Sequence, residues 1–297
     1  MAQDILELNG TQYELGAKAE NVSYNNSVSG MTATNVKAAL DELAARSQGG
    51  GGSGTYAPFA GKKMAVIGDS FTAMGAGSTG WFDVMCRILG ATMQRSTAVS
   101  GGAWHGQDSL SAYQQAQNLV AAVGNNHPDY ILIVMGVNDI NNDSDFYRFA
   151  TDGVDLGSIV YTNQHDGNEL SRFDLTATPY SFTAGVQATL TYLKRHFPNA
   201  IIKIGWTPSG MQFMANGFLY TGENKDPWQI FHSYIQRLKD LADMYGVNYI
   251  DTLHCGISWW LTEDWENYMV SNENNHPNED ARQRIGEYMA RIMLSNL

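Results

Sequence analysis

The sequence predicts an α/β fold with a parallel β-sheet covered by helices on both faces, and three observations predict it. Five short apolar, β-branched runs recur along the chain, amphipathic segments stand between them, and a glycine run separates this body from a small head. Continuous apolar runs suit strands buried on both faces, and strand–helix alternation suits parallel crossovers. In order, "KMAVIG" (63–68), "QRSTAVS" (94–100), "DYILIVMG" (129–136), "AIIKIGWT" (200–207) and "VNYIDT" (247–252) are the expected strands of a five-stranded sheet. The expected helices are "WFDVMCRIL", "SLSAYQQAQNLVAAV", "FTAGVQATLTYLKRHF" and "PWQIFHSYIQRLKDLADMY", with a last one over 277–294 whose Pro277 and acids suit a helix start.

"SQGGGGSGTY" behaves as a flexible tether, because glycine and serine offer nothing to pack. The chain therefore divides into a head over residues 1–48, a linker over 49–61 and a body over 62–297. In the head, Val36, Ala39, Leu40 and Leu43 share one helix face, with Thr32 or Thr34 placed to cap it. So short a helix is marginal alone, so it is expected to pack on another copy of itself or on a larger assembly.

The 30 Asp and Glu against 18 Lys and Arg, a net charge of −12, argue against a nucleic-acid partner, which needs cations to neutralise phosphates. "MAQDILELNG" lacks the basic start and apolar run of a signal peptide, and nothing approaches the ~20 apolar residues of a membrane span. A protein made in the cytoplasm, without membrane partner, is expected. Cys86 and Cys255 lack metal-site spacing and read as buried thiols, and the other histidines (His127, His165, His196, His232, His254) show no metal-ligand spacing.

Two chemistries compete within "KKMAVIGDSFTAMGAGSTGW". Gly75, Gly77 and Gly80 spell a dinucleotide-binding pattern, but it does not follow the strand directly, and no acid lies between Asp83 and Asp108 to hold a ribose. These glycines read as loop residues. The alternative draws on several strand ends: Gly68-Asp69-Ser70, Ser100-Gly101-Gly102 and Gly136-Val137-Asn138-Asp139, with His276-Pro277 opening the last helix. Ligands bind at that edge of a parallel sheet. A serine needs an adjacent base, which His276 can supply to Ser70. A tetrahedral oxyanion needs donors already aimed at it, and the N–H groups of Ser70 and Gly101 with the Asn138 amide offer three. Asp69 and Asp139 read as structural acceptors for loop amides, and His105 as a loop histidine with a local role.

In order and spacing these blocks resemble those of the SGNH (GDSL-type) hydrolases, over about residues 62–297. The resemblance implies a flavodoxin-like three-layer α/β/α sandwich and hydrolysis of carboxylic esters through an acyl-serine, without metal or cofactor. It places the nucleophile at Ser70, the oxyanion hole at Ser70, Gly101 and Asn138, and the base at His276. The family's last block is D-x-x-H-P, whereas this chain has Glu273 three residues before His276. Glu273 is the expected third member; a Ser–His dyad oriented by a backbone carbonyl, or Asp264 arriving through space, are the alternatives. Threonine at 72 excludes the G-x-S-x-G elbow.

In the head, "YNNSVSGMTATNVKAALDEL" resembles short segments of bacteriophage tail-fibre and other tail-associated proteins. That likeness implies a virion location and a homo-oligomer, trimeric as in tail fibres, or attachment to a tail. The polar insertion between Asn138 and Phe182, rich in Asp, Asn and tyrosines (Tyr147, Tyr161, Tyr180), is expected to rim the site and to suit sugar hydroxyls. Trp81, Trp104, Trp206, Trp228, Trp259 and Trp260 read first as core and second as stacking platforms. The leading expectation is an esterase for O-acetyl groups on a bacterial surface glycan. A lysophospholipase or thioesterase, and a catalytically weak glycan-binding adhesion module, are the alternatives.

Overall fold

A computed structural model of the chain describes residues 5–8, 11–14, 34–35, 38, 58–73, 80–106, 109–140, 155–162, 165–177, 180–208, 227–257, 267–268 and 276–295. The chain divides into two compact units, Met1–Ala57 and Pro58–Leu297.

The first unit holds an antiparallel pair, β1 (Ile5–Leu8) and β2 (Thr11–Glu14), in which Leu8 pairs with Thr11. The expected head helix falls mostly outside the described residues. At its start Asn35, rather than a threonine, accepts from Ala38 N at 2.8 Å.

The second unit is the sandwich. Its elements run β3 (Lys63–Gly68), α1 (Ser70–Ala73), α2 (Trp81–Leu89), β4 (Thr92–Ser96), α3 (Ala112–Val123), β5 (Tyr130–Val134), α4 (Val137–Ile140), α5 (Phe182–His196), β6 (Ile201–Gly205), α6 (Pro227–Tyr245), β7 (Asn248–Tyr249) and α7 (Glu279–Ser295). The five strands are parallel, in the order β4-β3-β5-β6-β7. Counted within this unit the order is 2-1-3-4-5, the flavodoxin-like doubly wound arrangement.

Strand alternation builds the two faces. Ala65, Ile67, Ile131 and Ile133 point into a cluster completed by α3, α5 and α6, including Leu119, Leu190 and Leu238. Met64, Val66, Leu132 and Val134 point the other way, against Trp81, Met85, Ile285 and Met289 of α2 and α7. Serines cap two helices as expected for short acceptors at a helix start: Ser111 accepts from Gln114 N and Ser181 from Ala184 N.

Two boundaries differ from the sequence reading. β4 lies at 92–96 rather than 94–100, although Thr97 N and Val99 N still bond Val66 O and Gly68 O, so the later stretch keeps following β3. Pro277 lies outside α7, whose start is capped by Asn278 Oδ1 accepting from Ala281 N at 3.0 Å.

The first part of the insertion, 141–154, lies outside the described residues; the described part runs along α5 and α6, where Gln187 clasps Val160 through both its backbone groups, Arg237 donates to Gly157 O at 2.6 Å, and Glu169 pairs with Arg195 in the last turn of α5. Phe173 and Tyr180 are buried against Ala184 and Ala188.

Candidate active site

The site forms where β3 and β5 lie side by side and their chains leave the sheet in different directions. Crossovers diverge there and open a crevice at the carboxyl ends of the strands.

Ser70 begins α1, directly after β3, and is 7% exposed. Asp69, wholly buried, holds this one-turn helix: its carboxylate accepts from Phe71 N at 3.0 Å, and its carbonyl accepts from Thr72 N and Ala73 N. Gly68 is obligatory for close packing, since a Cβ there would fall 2.6 Å from Thr72 Oγ1.

His276 reaches Ser70 from a chain position 206 residues away, with Nε2 2.8 Å from Oγ. Its ring lies against Phe71, with centroids 5.5 Å apart. The 2.8 Å between Nε2 and Oγ is within the reach at which a base takes a hydroxyl proton.

Gly101 follows β4 with φ +78°, a backbone conformation that disfavours side chains. Gly102 is wedged against Gly68 O, where a Cβ would stand 2.6 Å away. Asn138 sits in α4 and donates Nδ2 to Gly102 O at 2.9 Å, which identifies the amide nitrogen because a carbonyl can only accept. Gly136, at φ +147°, lets the chain pass the Trp206 indole on its way to Asn138.

Buried polar side chains tie these turns together. Asp139 accepts from Trp104 N (3.0 Å), His105 N (3.1 Å) and His105 Nδ1 (2.7 Å), which closes the 101–106 loop onto α4. Gln115 accepts from Gly68 N at 3.1 Å and donates to Leu110 O at 2.9 Å, giving the last amide of β3 a side-chain partner beyond the end of β4. Thr207 accepts from Val137 N at 3.2 Å and donates to Asp69 Oδ2. The structural reading of Asp69 and Asp139 matches these contacts, and His105 is local, bound to Asp139. Gln115 and Thr207 carried no signal of their own in the sequence.

Burial pushes the Asp69 carboxyl up to about 7, against the opposing pull of the Thr207 hydroxyl and the Phe71 amide; the charge of Asp139 pushes the same way as burial.

Ser70, Gly101, Asn138 and His276 are thus gathered at one sheet edge. Glu273 and Asp264 lie outside the described residues, as do Gly75 and Gly77; Gly80 is the extended residue preceding α2. Trp81, Trp104 and Trp206 are wholly buried core residues, whereas Tyr161 is 77% exposed. Among the described residues no group of three or more His, Cys, Asp or Glu side chains could hold a metal. No helix among them is long and apolar enough to cross a membrane.

A doubly wound sheet with a serine–histidine pair at its switch point defines a class of α/β hydrolytic folds. The chain belongs to the GDSL-like lipase/acylhydrolase family, whose pattern it matches over residues 66–284. No curated protein sequence matches it. Among solved structures, a protein from Lactobacillus plantarum is 18% identical, covering 80% of this chain and 99% of its own at a TM-score of 0.55, which supports the fold. An acetyl xylan esterase, AlAXEase, is also 18% identical (79% and 99% covered, TM-score 0.46). The psychrotrophic esterase EstA from Pseudoalteromonas is 14% identical (79% and 97% covered, TM-score 0.45). At those scores neither bears on the substrate of this chain.

Proposed function

We propose that the protein is a serine esterase for short-chain carboxylic esters, and that its natural substrates are O-acetyl groups on a bacterial surface polysaccharide. The observation that carries the reading is the 2.8 Å contact between His276 Nε2 and Ser70 Oγ. As the ester carbonyl is attacked by Ser70 Oγ, the hydroxyl proton passes to His276 Nε2. The oxyanion is met by the N–H groups of Ser70 and Gly101 and by the Asn138 amide, each worth roughly 3 kcal/mol if removed. Collapse expels the alcohol, which takes the proton back from His276; water then repeats the sequence on the acyl-serine. Glu273 orients the imidazole and stabilises its charged form.

The glycan target and the tail setting rest on the sequence. The head's likeness to tail-fibre segments favours display on a virion, as an oligomer or a tail component built through residues 1–48. The polar insertion, with exposed Tyr161, favours a hydroxyl-rich substrate over an acyl chain.

Initial rates on p-nitrophenyl acetate and p-nitrophenyl octanoate, for the parent and for Ser70→Ala and His276→Ala, test the reading. Acetate turnover well above octanoate, abolished in both variants, is expected. Turnover that survives in Ser70→Ala would overturn the nucleophile assignment; a preference for octanoate would overturn the short-chain assignment. Acetate release from an O-acetylated surface polysaccharide, measured against the de-esterified polymer, then tests the glycan.

A further inference from the structure

The end of β6 supplies none of the residues assigned to the chemistry, yet one of its side chains stands between the two turns that do. Thr207 is wholly buried. Its Oγ1 accepts from Val137 N at 3.2 Å and donates to Asp69 Oδ2. Each partner is one residue from an assigned group. Asp69 precedes Ser70, and its second carboxylate oxygen holds Phe71 N at 3.0 Å, so its position fixes the first turn of α1. Val137 opens α4 and precedes Asn138, whose amide is in turn set against Gly102 O. Along the chain, Ser70 and Asn138 are joined only through α2, β4, α3 and β5; the Thr207 hydroxyl joins the two turns directly.

We propose that Thr207 is a positioning residue of the esterase site, whose hydroxyl sets the Ser70 nucleophile and the Asn138 amide at the separation that the tetrahedral intermediate requires. The inference rests on the reading of Ser70 as nucleophile and Asn138 as oxyanion donor. Such a donor works only about 2.7–3.1 Å from the place the oxyanion will occupy. A displacement of about 1 Å between reacting groups lowers a rate by about 100-fold. The β3–β5 ladder ties the two chains only as far as Gly68 and Val134; without the hydroxyl, Val137 N and Asp69 Oδ2 beyond it lose the partner they share. A residue that merely fills space at this position would change stability and leave kcat alone.

The test compares Thr207→Val, which keeps the shape and removes the hydroxyl, with Thr207→Ser, which keeps the hydroxyl and removes the methyl. Both are assayed on p-nitrophenyl acetate at pH 8, well below the Tm of each variant, beside Ser70→Ala. Thr207→Val should lower kcat by about 10- to 100-fold with KM within about threefold, and Thr207→Ser should restore kcat to within about threefold of the parent. If Thr207→Val is not obtained folded, Thr207→Ala replaces it with the same expectation. A folded hydroxyl-less variant with kcat within threefold of the parent overturns the proposal, as does a Thr207→Ser variant as slow as Thr207→Val. Undiminished turnover in Ser70→Ala would instead overturn the underlying assignment of the nucleophile.

Discussion

Replacing Asp69 by asparagine should make stability depend less on pH, and the direction can be worked from the structure. Asp69 is wholly buried, and burial raises its carboxyl from 3.8 to about 7 even though Thr207 and Phe71 donate to it. In the unfolded chain an aspartate titrates near about 3.9. The folded state therefore holds a proton that the unfolded state releases across the window between those values. The resulting stability is full below about pH 4, declines as pH rises and is gone above about pH 7. Asparagine has no proton to lose and keeps an oxygen for Phe71 N. At about 1.4 kcal/mol per unit, the parent should lose about 2–3 kcal/mol relative to Asp69→Asn between pH 5 and pH 8. Groups common to both proteins cancel; Asp129, lowered first by its bond from Lys63 N, in any case loses its contribution only as pH falls. The assay is urea unfolding followed by tryptophan fluorescence at both pH values. A parent–variant difference that stays constant would mean that Asp69 remains ionised throughout, held by its two donors, and would refute the argument.

Gly136→Ala should be strongly destabilising, by about 3 kcal/mol or more, because the new Cβ falls 2.4 Å from the Trp206 indole at a φ of +147°; urea unfolding measures it. Glu273→Gln should lower kcat on p-nitrophenyl acetate by about 1,000-fold or more with little change in KM, whereas a loss under threefold would mean that another group orients His276. Arg237→Met removes bonds to Gly157 O (2.6 Å) and Thr183 Oγ1 (2.7 Å), so chymotrypsin should cleave near the exposed Tyr161 several-fold faster than in the parent, seen by mass spectrometry of the fragments.

Strands buried on both faces were legible because burial leaves a continuous apolar run, as in "YILIV" of β5. β4 was misplaced by two residues at its start for the opposite reason: an edge strand such as "TMQRS" is half exposed and has no such run. α1 and α4 span four residues each, too short for any 3.6-residue period to declare itself. The antiparallel pair of the first unit has a signal in the sequence, Asn9-Gly10 between two alternating runs. That Ser70, Gly101 and Asn138 would come together was legible from their place at expected strand ends, and that His276 would join them from its place at the start of the last helix. Gln115 and Thr207 were not, because their importance comes from which turns the 2-1-3-4-5 order brings together, and that adjacency is not written in any local stretch.

Buried polar side chains also explain how the site tolerates burial. Three turns present backbone groups inward at the end of the sheet, where unpaired N–H groups would each cost about 1–3 kcal/mol. Gln115 takes Gly68 N, Asp139 takes the amides of Trp104 and His105, and Thr207 takes Val137 N. Residues that satisfy the turns therefore couple stability to geometry, while the groups that face the crevice do not. Ser70 Oγ bonds only His276 Nε2 among the described contacts, so Ser70→Ala should leave Tm within a few degrees of the parent while turnover is lost. Asp139→Ala strands three donors at once and should lower Tm and turnover together. A Ser70→Ala variant as unstable as Asp139→Ala would show that the serine, too, belongs to the scaffold, and would remove the separation on which this account of the site depends.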